Sequence, residues 1–450
     1  MRQVFCKTAF LALASEMILV IAGASCAAQQ ASYRLTLEDA IEQGLKANLN
    51  VLLTGARVDQ DEGARQRSLA AALLPRVSAE TYANYQNRSL RAFGISIPGI
   101  PIPNVVGPFS NYDFRLYAQQ NVVDLTSYRG LKASEQTLNA DKLSDQDARD
   151  AIVRAVAEVY LNAESAAARA KAAQSRVTDS AALYQLAKDK HDAGTATGVD
   201  VLRADVQLAN DKQALLIAQN QYQQALLELA RDIGIDPGTP IELAETLQFH
   251  PLAEQEVEAL VPDALAARAD YLSLASQRQA IVEQQGANRA RSYPKLSLNG
   301  NYGGIGRSIG GVQGTGLIQG QIDITLFDRD RNGEAQELAA QLKSVDDRIA
   351  DLRRGIEEDI RQSLLDLDSA RQQVDVASQG QDLARRELEM SRDRFQEGTA
   401  NNVEVITAQD ELARAEENYI LAVSSYQDAK FALARALGDT QKNVREFAKP

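Results

Sequence analysis

The chain has 450 residues, 45% of them hydrophobic, no Trp, two Cys and a formal net charge of −13. That charge argues against a nucleic-acid partner, which selects basic surfaces. With Cys6 and Cys26 both near the N-terminus, the rest of the chain has no disulfide or thiol chemistry.

Residues 1–27 read as a signal peptide. Arg2 and Lys7 form the basic start, TAFLALASEMILVIAG the apolar stretch and ASCAA the small-residue cleavage site. Cys26 is a candidate lipidation site, although Gly23 stands where a bacterial lipobox has Leu. No later stretch approaches the ~20 apolar residues of a membrane helix. If the chain spans a membrane, it must do so with strands.

Residues 35–234 read as one structural unit. A helix is stopped by Pro75, and strands 75–86 and 112–123 flank a turn-rich loop. A long helix runs from Asp124 to Gly194, a tip follows at 194–200, and a second helix leads to Gly234. Residues 235–262 form a linker. Residues 263–438 repeat the order, with strands 294–302 and 317–327 and a tip at 398–404, and 439–450 is a tail.

The repeat is explicit. HDAGTATGVDVL from His191 returns as FQEGTANNVEVI from Phe395, an offset of 398 − 194 = 204. The same offset pairs Asp200 with Glu404, Tyr222 with Tyr426 and Asp124 with Asp328, so the chain holds two units of matched length. No Pro occurs between Pro108 and Pro237 or between Pro294 and Pro450, which permits long helices. Leu338, Leu342, Val345, Ile349, Leu352, Ile356 and Ile360 recur at spacings of three and four, the pattern of packed coiled helices. Each long helix should measure on the order of 100 Å.

Gly194 and Gly398 suit the left-handed residue that ends a helix. Asp200 and Glu404 then stand near the positive end of the next helix, where an acid is favoured whatever else it does. At the opposite end, Leu296 and Leu298 alternate with Ser297, Asn299 and Asn301, and Ile318, Ile322, Ile324 and Leu326 alternate with Gln319, Gln321, Asp323 and Thr325. Period two with one apolar and one polar face predicts half-buried strands. Four strands cannot close a barrel, so several chains must share one sheet, with water inside and lipid outside.

LTLEDAIEQGLKANLNV, ALAARADYLSLASQRQAIVEQQGANRARSYPKLSLNGNYG, the Phe327-Asp328 pair and the two Gly-Thr-Ala-x-x-Val-acid-Val turns together resemble the TolC-like outer-membrane efflux proteins. The resemblance spans about Leu35 to Gly438. It implies a mainly α fold with membrane β: a homotrimer whose helical hairpins form a periplasmic α-barrel and whose four strands per chain form a twelve-stranded outer-membrane β-barrel. It also implies a passive exit duct of a tripartite efflux or type I secretion system, without cofactors, opened at its tips by a periplasmic adaptor (membrane fusion) protein and an inner-membrane transporter. The resemblance makes Glu404, Thr407 and Asp200 candidates for the pore constriction and its selectivity, but Thr407 lacks the second carboxylate the family has there. Asp200 matches the Asp of the family's closing lock; Phe395 and Ala400 replace its Tyr and Arg, so that lock cannot operate in the same form. Gly194, Thr195, Gly398 and Thr399 are candidates for adaptor docking.

Other signals are weaker. GGIGRSIGG lies between two strands and so reads as a loop, not a phosphate cradle. His191 and His250 are too far apart in sequence, with no Cys nearby, to suggest a metal site. A periplasmic coiled-coil scaffold would share the hairpins but has no use for strands with an apolar face, and no motif suggests an enzyme.

Overall fold

The computed structural model describes residues 33–90, 92, 94, 103–252, 257–438 and 440–447. The signal peptide and Cys26 lie outside the described residues.

A short strand β1 (Tyr33–Leu35) leads into helices α1 (Leu37–Ala47) and α2 (Leu49–Leu73), then strands β2 (Arg76–Ser89) and β3 (Val105–Val123). The long helix α3 (Leu125–Asp192) turns back as α4 (Gly198–Asp232), followed by β4 (Ile241–Leu243). The second unit comprises α5 (Val257–Ala267), α6 (Ala269–Ala290), β5 (Lys295–Gly306), β6 (Gln313–Asp323), α7 (Asp330–Gln396) and α8 (Asn402–Leu437), with α9 (Thr440–Phe447) closing the chain. α3 has 68 residues and α7 has 67, so each is roughly 100 Å long. No described helix is long and apolar enough to cross a membrane.

The four long strands form one antiparallel sheet in the order β2-β3-β5-β6. Residues paired across a ladder share a face, and the register runs Val77–Ala118–Gly300–Ile318 and Ala79–Leu116–Tyr302–Gly316. One face therefore carries Val77, Leu116, Leu298, Tyr302, Ile318 and Ile322, all exposed. The other carries Glu80, Asn84, Arg115, Asn299, Asn301, Gln319 and Gln321. On this polar face the Tyr82 hydroxyl and the Arg115 guanidinium both donate to the buried Asp113, each at 2.8 Å. Gly303, opposite Arg115, lets the strands close: a Cβ there would stand 2.0 Å from the Phe114 carbonyl oxygen. β2 and β6 are the sheet edges.

β6 ends at Asp323, earlier than the expected 327, because its partner Lys295 is the first residue of β5 after Pro294. Ile324, Leu326 and Phe327 continue beyond the ladder and are exposed.

The two units also differ where the long helices begin. Asp124 caps α3, its carboxylate accepting from the Thr126 and Ser127 N–H groups at 3.0 and 3.2 Å. Asp328 does not cap α7, which starts at Asp330 with no side-chain cap. Instead Arg291 donates to Asp328 and Glu334, each at 2.5 Å. Arg291 precedes Pro294 by three residues, while Ala72 holds that place before Pro75, so only the second unit has a guanidinium to draw the acid away.

Midway along the helices a belt closes the structure. β1 pairs in parallel with β4, and Leu35, Ile41, Val153, Tyr160, Leu229, Ile233 and Phe431 are buried together around them. The Tyr160 hydroxyl donates to the Leu35 carbonyl at 3.1 Å, so the chain's first described strand is fixed to the centre of α3. Fully burying side chains of this size contributes about 1.5–3 kcal/mol each.

Candidate functional site: the helical tips

Both tips are built the same way. Gly194 has φ +74° and Gly398 φ +78°, the left-handed region that Gly enters without steric cost. The N–H groups of Thr195 and Ala196 then return to the Lys190 carbonyl at 2.8 and 3.2 Å, and the Thr195 hydroxyl donates to it at 3.0 Å. In the second tip Thr399, Ala400 and the Thr399 hydroxyl converge on the Arg394 carbonyl at 2.9, 3.2 and 3.1 Å. The repeated Gly-Thr-Ala thus satisfies a carbonyl that the end of the helix leaves open.

The acids that follow do different work. Asp200 closes a capping box: its carboxylate accepts from the Thr197 N–H at 3.1 Å, while its own N–H donates to the Thr197 hydroxyl at 3.4 Å. In the second tip Asn401 caps α8, accepting from the N–H groups of Val403 and Glu404 at 3.0 and 3.3 Å. That leaves the Glu404 carboxylate free to reach Arg394, at 3.0 Å, and both side chains are about half exposed. Thr407 is exposed and uncharged; one turn on, Asp410 accepts from Gln207 of α4 at 3.2 Å.

The tips are also joined to each other. Lys190 donates to the Gln396 carbonyl at 3.0 Å and lies 5.3 Å from the centre of the Phe395 ring. Phe395 is buried with Leu183, Ala187, Ala204, Leu388, Val405 and Ala408, so it supplies packing where the family's lock has a hydroxyl. The Asn402 side-chain amide donates to the Asp200 carbonyl at 2.6 Å from a fully buried position.

Sequence reasoning missed Lys190, Arg394 and Asn402. Lys190 and Arg394 were within reach, since the offset of 204 pairs them and both are basic. The same offset pairs Asn402 with Gly198, and a side chain present in one copy alone marks a place where the copies do different things. Among the described residues, His191 and His250 included, no three His, Cys, Asp or Glu side chains gather where they could hold one metal ion.

The family model described as "Outer membrane efflux protein" matches residues 40–234 and 260–439. The chain belongs to the outer membrane efflux protein family. It is 25% identical to the pyoverdine export outer membrane protein OpmQ of Pseudomonas aeruginosa over 89% of this chain and 85% of OpmQ. It is 26% identical to the probable efflux pump outer membrane protein TtgC of Pseudomonas putida over 65% of this chain and 59% of TtgC. Among solved structures, the outer membrane protein VceC of Vibrio cholerae superimposes with a TM-score of 0.71 at 19% identity, over 89% of this chain and 96% of that one. Members of the outer membrane efflux protein family are channels. This chain is likewise an outer-membrane exit duct of tripartite efflux, with its strands in the membrane and its helical tunnel in the periplasm.

Proposed function

We propose that three copies of this chain form one duct, with a twelve-stranded barrel above and a twelve-helix tunnel below. The observation that carries this is the amphipathic sheet with two open edges: an aqueous barrel needs more strands than one chain supplies. The exposed apolar stripe Val199, Leu202, Val206, Leu216 and Ile217 along α4 also calls for a neighbour. A periplasmic adaptor, docking at the turns around Gly194, Thr195, Gly398 and Thr399, parts the tips, and an inner-membrane transporter supplies the energy.

The tip is the constriction, with Glu404 as its carboxylate. Three copies set three such groups around one axis, which favours cations; Asp200 has a capping role. The cargo class is a small organic molecule, in keeping with the pyoverdine in the name of OpmQ.

Single-channel recording in a planar bilayer, with the mass of the detergent-purified complex, tests this reading. The expected result is a trimer with a small, cation-favouring conductance that changes on Glu404→Ala. A water-soluble monomer without conductance would overturn it in favour of a periplasmic scaffold.

A further inference from the structure

A second polar site lies in the belt, roughly 40 Å from the tip along α3. Glu164 projects from α3 into a cavity of about 320 Å³, whose polar wall includes Glu245, Thr246, Gln248, His250 and Gln427. The residue is only 6% exposed, and among the described residues no hydrogen-bond donor or cation reaches its carboxylate. Its oxygens face the cavity, where water is the partner within reach, and holding a carboxylate in so enclosed a place is costly. Burial and the nearby Glu245 carboxylate push Glu164 up to about 7.

The surrounding charges leave this need unmet. Glu245 is fixed by the Leu37 N–H, which donates to it at 3.0 Å. Tyr160, one turn before Glu164 on α3, has its hydroxyl between the Leu35 carbonyl and the Glu245 carboxylate, and so serves Glu245 and not Glu164. Lys430 of α8 is buried and its ammonium is directed at the His250 carbonyl, 3.4 Å away. Desolvation by burial holds Lys430 down to about 8.

We propose that Glu164 and Glu245 jointly hold a hydrated hard divalent cation, such as Mg²⁺, in this cavity. Two carboxylates match its charge, and the hydroxyl of Thr246 and the amide oxygens of Gln248 and Gln427 supply oxygen of the kind such ions take. The cavity has room for an ion that keeps several of its waters, as Mg²⁺ does. The bound ion joins the centre of α3 to the segment that follows β4, clamping the belt.

The test is calorimetric titration of MgCl₂ into the detergent-purified, EDTA-stripped protein at about pH 8, with NaCl of equal ionic strength as control. Wild type should show saturable binding that weakens roughly tenfold or more at about pH 5.5, where a proton competes for Glu164. Glu164→Gln should abolish binding with circular dichroism unchanged. Glu245→Gln, which can still accept from the Leu37 N–H, should weaken it. Absence of saturable binding to wild type, or equal binding by a folded Glu164→Gln variant, would overturn the proposal.

Discussion

The side-chain amide of Asn402, at the head of α8, donates to the main-chain carbonyl of Asp200, at the head of α4, across 2.6 Å. The bond crosses from one hairpin to the other at their tips, and its donor residue is fully buried. Removing a buried partner costs about 1–3 kcal/mol, since the stranded group finds no water. Asn402→Ala and Asn402→Asp, the second keeping size but losing the donor, should both loosen the tip. Both are expected to raise single-channel conductance, while a structural defect from lost volume would appear in the alanine variant alone.

The Glu404–Arg394 pair gives a prediction of opposite signs. Both groups are about half exposed, so breaking the pair should change stability by less than about 1 kcal/mol. Selectivity should respond more. With the proposed constriction at the tip, Glu404→Gln leaves Arg394 unpaired there and should lower cation preference, whereas Arg394→Gln frees the carboxylate and should raise it. Reversal potentials under a salt gradient measure both.

Glycines of this chain divide into those needed for conformation and those needed for space. A Cβ at Gly194 or Gly398 meets nothing within 4 Å, so Gly→Ala there should cost only the left-handed backbone, about 1–2 kcal/mol. Gly303→Ala instead drives a Cβ into the Phe114 carbonyl and should abolish the proposed trimer, read from the mass of the detergent-purified complex. The tip variants should retain it.

Glu164 makes stability depend on pH. Its folded-state value, about 7, exceeds the ordinary 4.5, so the folded chain binds this proton more tightly than the unfolded chain. The resulting stabilisation is complete at low pH and is lost as pH rises from about 4.5 to about 7. With divalent cations chelated, Glu164→Gln should therefore raise the thermal midpoint at pH 8 by the equivalent of up to about 3 kcal/mol per chain. At pH 4 the difference should vanish.

The duplication made much of this architecture legible. Equal separations from Asp to Gly, and Pro confined to the ends of the helical stretches, gave both the hairpins and their matched height, because helix length follows directly from residue count. Alternation gave the faces of β5 and β6. What escaped was whatever distinguishes the two copies. Asp124 and Asp328 stand at equivalent places, yet one caps a helix and the other meets Arg291, and Asp200 and Glu404 divide in the same way. Offset alone reports likeness; a partner elsewhere in the chain decides the role. The belt was illegible for a different reason. β1 and β4 have three residues each and pair across about two hundred residues of sequence, too short a segment for periodicity to register.

The two free edges of the sheet, β2 and β6, have a consequence for biogenesis. They belong to the same chain, so joining one molecule's β2 to another's β6 is a head-to-tail contact, and such a contact yields a closed ring or an endless ribbon depending only on the angle between successive units. Nothing in four strands sets that angle alone. The long helices fastened below them do, by fixing how far each copy turns from the last. A chain with intact strands but a damaged belt should therefore polymerise rather than merely misfold, and its aggregates should be rich in β-structure.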